Sequence, residues 1–301
     1  MYRKEDLRPV LKWAGGKRQL LADIAAHMPA DYELNEHAYF EPFFGGGAVL
    51  FHFAPRRAYI NDVNAELMRL YRTIKEQPEA LIEQLREHRN ESEYFYEVRA
   101  WDRSPEFSSL SDAQKSARMI FLNRTCFNGL HRVNSKGYFN VPFGKYKNPD
   151  IVQEDAIRAI SGYLRSNDII MSAGDFSEQV LEHAQTGDFV YFDPPYDPVS
   201  ETAAFTAYAT DGFTRDDQLR LRDVYRQLSD RGCFVMLSNS STDFIRNIYQ
   251  EFNVCTIHAR RNINSKGTGR GKVDEVLVLN YKNIKGYEAS EQPDSAAVRN
   301  E

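Results

Sequence analysis

Apolar positions along the chain fall into two kinds of run. Short unbroken stretches at 39–43, 57–60, 169–172, 188–192 and 233–237 are β-prone and too short for helices. Such runs are expected of strands buried on both faces of a parallel sheet. Between them apolar residues recur at helical spacing: Leu20, Leu21, Ile24 and Ala25 ahead of Pro29, then 48–53, then Leu67, Leu70, Tyr71 and Ile74. Leu219, Leu221, Val224 and Leu228 do the same behind Thr214, where Asp217 completes a box-like helix start. A helix at 243–252 follows, and strands at 254–259 and 275–281 flank a basic, glycine-rich stretch, 260–272. Strands alternating with helices predict an α/β fold.

The alternation fails between residues 65 and 163, where the period is mainly helical. Leu81, Ile82 and Leu85 follow Pro78, and Met119, Ile120 and Leu122 lead into Arg124. Asn134-Ser135-Lys136-Gly137 is then a turn signal between 132–133 and 138–141, which predicts a hairpin with amide and basic side chains at its tip. A ribbon of that kind can enter a major groove. The expected division is a sheet domain from 1–64 and 165–282, an inserted recognition domain at 65–164, and a polar, disordered tail at 283–301. Residues 199–212, polar and aromatic without a period, are expected to form a mobile loop beside the site.

Charge changes the picture more than composition does. A net charge of −5 argues mildly against nucleic acid, but it conceals two acid-free basic segments. One, 115–147, carries Lys115, Arg118, Arg124, Arg132, Lys136, Lys145 and Lys147; the other, 258–272, carries Arg260, Arg261, Lys266, Arg270 and Lys272. Solvated faces normally mix signs, so these read as footprints for a polyanion. Cys126, Cys233 and Cys255 show no metal-ligand spacing and suggest a reducing, intracellular setting. Cys233 and Cys255, in apolar runs, read as buried small hydrophobes. No apolar run is long enough to span a bilayer and no signal-peptide pattern opens the chain, so a cytoplasmic location is expected.

Three strand-end features carry candidate chemistry. Phe44-Gly45-Gly46-Gly47 links a strand to a helix without the G-x-G-x-x-G spacing or a Walker lysine, so phosphate binding is not indicated. Asp62 ends the next strand, placed either to accept from ribose hydroxyls or to cap the helix that begins at Ala65. Lys12-Trp13-Ala14-Gly15-Gly16-Lys17 precedes a helix whose free N–H groups suit an anion such as a carboxylate, or it is simply a tight turn around a half-buried Trp. Asp193-Pro194-Pro195-Tyr196 ends the 188–192 strand. The prolines forbid its continuation and stiffen a corner that presents a carboxylate, carbonyls and a ring to a planar, amino-bearing group. Together these suit a nucleoside with an amino-acid-like tail, such as S-adenosylmethionine, beside an acceptor amine. No metal is then required.

The motifs KWAGGK (12–17), FEPFFGGG (40–47), NDVN (61–64), FNGLHRVNSKGYFNVPFG (127–144) and YFDPPY (191–196) stand in one order across nearly the whole chain. In that order the chain resembles the Dam-type DNA adenine-N6 methyltransferases of bacteria, phages and restriction systems. The resemblance implies a Rossmann-like AdoMet-dependent methyltransferase sheet with an inserted helical-plus-hairpin DNA-recognition domain. It implies a monomer that flips adenine out of double-stranded DNA at GATC and methylates its amino group. Asp193, Pro194, Pro195 and Tyr196 would form the catalytic corner. S-adenosylmethionine would meet Trp13, Ala14, Gly15, Lys17, Glu41, Pro42, Phe43, Gly45, Gly46, Gly47, Asp62, Asp175, Phe176 and Asp193. DNA would meet Lys12, Arg124, Phe127, Asn128, Leu130, Arg132, Asn134, Lys136 and Lys145, with Arg132 either reading guanine or holding phosphate. Two rivals remain at this point: an amine methyltransferase acting on RNA or a protein glutamine, and a silent DNA-binding regulator.

Overall fold

The computed structural model describes residues 2–13, 15–30, 32–34, 36–199, 212–260 and 272–282. The expected loop at 199–212, apart from its two ends, the basic stretch 261–271, the tail 283–301 and Ala14 lie outside the described residues. Seven strands form one sheet in the order β3-β2-β1-β4-β5-β7-β6. They are β1 (Tyr39–Glu41), β2 (Arg57–Asp62), β3 (Asp168–Ala173), β4 (Phe189–Phe192), β5 (Phe234–Ser240), β6 (Asn253–Arg260) and β7 (Lys272–Leu279). The first five are parallel, and β7 and β6 close the sheet as an antiparallel pair. The fold is the Rossmann-like methyltransferase sheet.

Alternation along each strand builds two cores. Tyr39, Phe189, Tyr191, Met236 and Leu277 point to one face, under α2 (Ala48–Phe53), α3 (Ala65–Glu76), α4 (Pro78–Glu87) and α7 (Glu154–Ser166). Phe40, Val190, Phe192, Val235 and Val276 point to the other, against α8 (Phe176–His183), α9 (Arg215–Asp230) and α10 (Asp243–Ile248). Burial on both faces is why β1, β4 and β5 read as unbroken apolar runs; the run at 169–172 does not follow, because β3 is an edge strand with Ile170 39% exposed. Cys233 is buried as expected, whereas Cys255 is only partly so.

Residues 65–164 divide between two cores: α3, α4 and α7 pack on the sheet, while a separate cluster joins Phe95 and Val98 of α5 (Ser92–Ala100) to Phe121, Leu122 and Cys126 of α6 (Asp112–Thr125) and its end, and to Phe139 and Val141. The predicted hairpin is present as a tight loop rather than two strands. It has one antiparallel bridge, Val133 to Phe139; Asn134 Oδ1 accepts from the Lys136 and Tyr138 N–H groups, each at 3.0 Å, and closes the turn together with backbone bonds from Asn134 N–H to Tyr138 O and from Gly137 N–H to Asn134 O.

The strand order decides where a ligand can sit. β1 lies between β2 and β4, so the connections leaving β1 and β4 diverge to opposite faces and open a crevice at their carboxyl ends. The glycine loop follows β1 and the proline corner follows β4.

Candidate functional site

The cleft at that crevice encloses about 820 Å³, its solvent-open part included. Its lining includes Lys12, Trp13, Gly15, Lys17, Glu41, Gly45, Gly46, Gly47, Arg124 and Asp193. Thus the KWAGGK turn, the glycine loop and the proline corner share one cavity.

The glycine loop is held from below. Gly45 has φ +52°, and a Cβ there would lie 3.0 Å from Trp13 Cδ1, so only glycine lets the indole rest on the loop. The Tyr71 hydroxyl donates to the Gly46 carbonyl at 2.8 Å, and the Gly45 N–H donates to Asp62 Oδ2 at 2.9 Å. Asp62 Oδ1 accepts from the Asn64 N–H at 2.9 Å. The cap of α3 is Asn64, which accepts from the Glu66 and Leu67 N–H groups, so Asp62 is not the helix cap. Its carboxylate ties the glycine loop to β2, and each oxygen keeps a lone pair for a further donor. Burial pushes its pKa up against those two N–H bonds.

Glu41, buried at the end of β1, accepts from the Tyr39 hydroxyl at 2.8 Å. Burial first, then the nearby Asp193 charge, pushes its pKa up to about 8, although the Tyr39 bond pulls the other way. Pro42 is buried, and its carbonyl accepts from Asn61 Nδ2 at 3.2 Å, while the same amide donates to Gly174 O at 3.0 Å. Asn61 therefore binds the loops after β1 and β3 together. Phe43 does not line the main cleft; it stacks on Phe176 at 5.2 Å between ring centroids.

Asp175 caps α8 through Ser177 and takes the Arg220 guanidinium in a two-pronged pair, both contacts 2.8 Å. Burial alone would raise its pKa, but Arg220 and Ser177 hold it down at about 2. Val63, at the end of β2, is 83% exposed, a large apolar side chain on the open side of the strand next to β3.

At the proline corner Lys17, only 6% exposed, sets its ammonium 2.7 Å from Asp193 Oδ1, in ionic contact without hydrogen-bond alignment. The ammonium donates to Gly15 O at 2.8 Å and stands 4.6 Å above the Tyr196 ring. Burial raises the Asp193 pKa to about 6; Lys17 pulls it down and Glu275 pushes it up. Pro194 is buried and Pro195 exposed. Gln218 Nε2 donates to Pro195 O at 2.8 Å, and Asp197, just past the corner, donates its N–H to Asn239 Oδ1 at 3.0 Å and accepts from Arg215 Nε at 3.0 Å. The Tyr196 hydroxyl donates to Glu275 Oε2 at 2.8 Å. Gln218, Asn239, Glu275 and Asn61 were not singled out in the sequence. Each is an ordinary polar residue within a strand or helix, and only the fold gives it a partner.

The second group of residues lies beside this cleft. Asn123, buried on α6, exchanges bonds with the Lys12 backbone at 2.7 and 2.9 Å and donates to Gly129 O at 2.9 Å, so the KWAGGK turn and the FNG segment move as one. His131 stacks on Trp13 at 5.1 Å. Phe127 is half exposed, and Asn128, Arg132, Asn134, Lys136 and Lys145 are exposed, with Leu130 and Arg124 partly covered. Arg132 Nε donates to Asn140 Oδ1 at 2.7 Å. Arg118 does not join this basic surface: it is buried against Asp102 at 2.8 Å. Among the described residues no group of three or more His, Cys, Asp or Glu is placed to hold a metal ion, and no helix is long and apolar enough to cross a membrane.

Residues 13–263 match the D12 class N6 adenine-specific DNA methyltransferases. A "Type II methyltransferase M1.LlaDCHI" of Lactococcus lactis subsp. cremoris is 50% identical over 282 residues, 93% of this chain and 98% of that protein. A "DNA adenine methylase" of Vibrio cholerae is 37% identical, covering 90% of this chain and 95% of its own length. The Escherichia coli K12 protein of the same name is 35% identical over 91% and 95%. With the shared cleft, the family match and these near full-length relatives together, the chain belongs to the D12 class N6 adenine-specific DNA methyltransferase family and is an adenine-specific DNA methyltransferase.

Proposed function

We propose that the methyl donor is S-adenosylmethionine and that the acceptor is adenine in double-stranded GATC sites, rotated out of the helix before transfer. The observation that carries the reading is the 2.7 Å contact between Lys17 of the glycine-lysine turn and Asp193 of the proline corner, inside one cleft floored by the glycine loop. The donor set fits this cleft. Lys17, in its lining, supplies a buried cation for a carboxylate; beside the lining Asp62 keeps lone pairs for ribose hydroxyls and the exposed Val63 offers an apolar surface to an adenine, which Asp175 and Phe176 would flank only once the Arg220 side chain that covers both has moved. When bound, the donor supplies an electrophilic methyl group; the remaining work belongs to the chain.

A duplex buries the adenine amino group, so the base has to leave the stack to reach Asp193. Tyr196 offers its ring face to the purine, while Asp193 accepts from the amine. Orienting the amine is the main task, because its lone pair is delocalised into the ring; alignment of this kind contributes on the order of 7–11 kcal/mol in favourable cases. Lys17 sits on both Asp193 and the Tyr196 ring, so it has to shift towards the donor's carboxylate as the amine arrives. Lys12, Arg124, Phe127, Asn128, Leu130, Arg132, Asn134, Lys136 and Lys145 would form the DNA face, with Arg132 reading guanine. Residues 65–164 would be the recognition unit. The reading carries with it a monomer in the cytoplasm of a bacterial or phage-infected cell.

The test is a plasmid lacking adenine methylation, incubated with enzyme and S-adenosylmethionine. It is then cut with two endonucleases, one requiring bare GATC and the other methylated GATC. Acquired resistance to the first and sensitivity to the second is expected; adenine methylation without either change would reject GATC. Asp193→Ala should incorporate no tritiated methyl while keeping the wild-type melting temperature.

A further inference from the structure

We propose that Glu275 is a positioning residue for methyl transfer, acting through Tyr196: its carboxylate on β7 accepts the phenol hydrogen and so holds the far end of the ring in place. This rests on the reading of Tyr196 as the surface that meets the target base.

Glu275 is 7% exposed and pairs across the antiparallel ladder with Ser240 at the end of β5. It begins the buried run Glu275-Val276-Leu277-Val278-Leu279, where an apolar residue would be the cheaper choice. Its Oε2 lies 2.8 Å from the Tyr196 hydroxyl. The backbone around Tyr196 is already pinned by Gln218 at Pro195 O and by Asn239 at the Asp197 N–H. With the backbone held, the side chain can still swing about its Cα–Cβ bond, and the bond at its far end stops that swing. The near side is marked by Lys17, whose ammonium touches Asp193 and stands over the ring, so the anchored ring borders the space in front of the acceptor carboxylate.

A second effect accompanies the first. Asp193 faces Lys17 from the turn before α1 (Leu21–Ala26), Glu41 from β1, Tyr191 and Tyr196 from β4 and its corner, and Glu275 from β7. Of these, Glu275 opposes ionisation of Asp193 and Lys17 favours it. Loss of the Glu275 charge should move the acid limb of the rate profile to lower pH, which a purely packing role would not do.

The experiment measures single-turnover methylation of a saturating adenine-containing duplex by the full chain and by Glu275→Ala, Tyr196→Phe, the double variant and Glu275→Gln. S-adenosylmethionine affinity is read in parallel from Trp fluorescence. Glu275→Ala should slow transfer by about tenfold, the loss expected when a hydrogen bond to a charged acceptor goes, with donor affinity unchanged. Tyr196→Phe should slow it similarly, and the double variant should be no slower than the slower single one. Glu275→Gln, still an acceptor, should recover most of the rate and show the shifted acid limb. Should Glu275→Ala not fold, Glu275→Met fills the space without accepting a bond. Losses that multiply in the double variant, a wild-type rate in Tyr196→Phe, or a loss tracking donor affinity would each overturn the proposal. A wild-type chain that methylates no duplex would instead remove the functional reading beneath it.

Discussion

At the scale of single residues, burial sets the charge states on which the cleft depends. Asp193 titrates near 6 rather than near 3.8 because it is withdrawn from water. An ionised carboxylate accepts more strongly from the adenine amine than a protonated one and stabilises the positive charge that develops on its nitrogen, so single-turnover methylation should fall as pH drops through about 6 and stay level above it. A limb near 4 would mean Asp193 is not the titrating acceptor. Glu41 has the larger displacement, from 4.5 to about 8. Its folded form holds a proton that the unfolded chain has lost, so stability falls as pH rises from 4.5 through 8. Glu41→Gln removes that slope. In the ligand-free protein it should raise the melting temperature at pH 8 by at least about 2–4 °C, the shift that 1 kcal/mol gives in a domain of 150–250 residues, and change it little at pH 5. The need for a carboxylate at Asp193 was legible in D-P-P-Y; its altered acidity was not, since that depends on burial and on Lys17 and Glu275, brought from far along the chain.

At the scale of elements, the recognition loop is held by a buried charge. Asp102 pairs with Arg118 at 2.8 Å, and Oδ2 of the same carboxylate accepts the Phe139 N–H at 2.8 Å. Arg103 adds a bond to Phe139 O at 2.9 Å. Asp102→Ala leaves the Arg118 guanidinium buried without its counter-charge, and should cost about 3–5 kcal/mol in a denaturant titration. Arg132→Ala, by contrast, lies on the surface and should leave stability unchanged. If it reads guanine it relaxes sequence preference; a uniform loss across all sequences with a shallower salt slope would assign it to phosphate. Strands and most helices here were legible because their periods are enforced by the two cores. The hairpin was read correctly as a turn and too generously as a ribbon, since its ladder is a single bridge and the Asn134 side chain supplies much of the closure. Counting basic residues between 115 and 147 included Arg118, whose charge the fold spends on Asp102.

At the scale of the whole molecule, three segments distant in sequence form one cavity because β1 and β4 are neighbours whose connections part. Trp13 lies on the glycine loop of that cavity and against His131 of the recognition loop. S-adenosylmethionine should therefore change Trp fluorescence and raise stability by about 2.7 kcal/mol at a hundred times its Kd; a titration that moves neither signal would count against the cleft as the donor site. By itself the sequence determined the alternation of strands and helices, the glycine loop, the stiff corner at 193–196 and the family, because each is written in local periods, backbone restrictions or short contiguous motifs. Only the tertiary structure decided that Asn64 caps α3 while Asp62 ties down the glycine loop, that Lys17 bridges to Asp193, and that Glu275 reaches Tyr196. Apart from the Asn64 cap, these pairings join segments far apart in sequence, and the strand order that brings them together depends on packing the whole sheet at once.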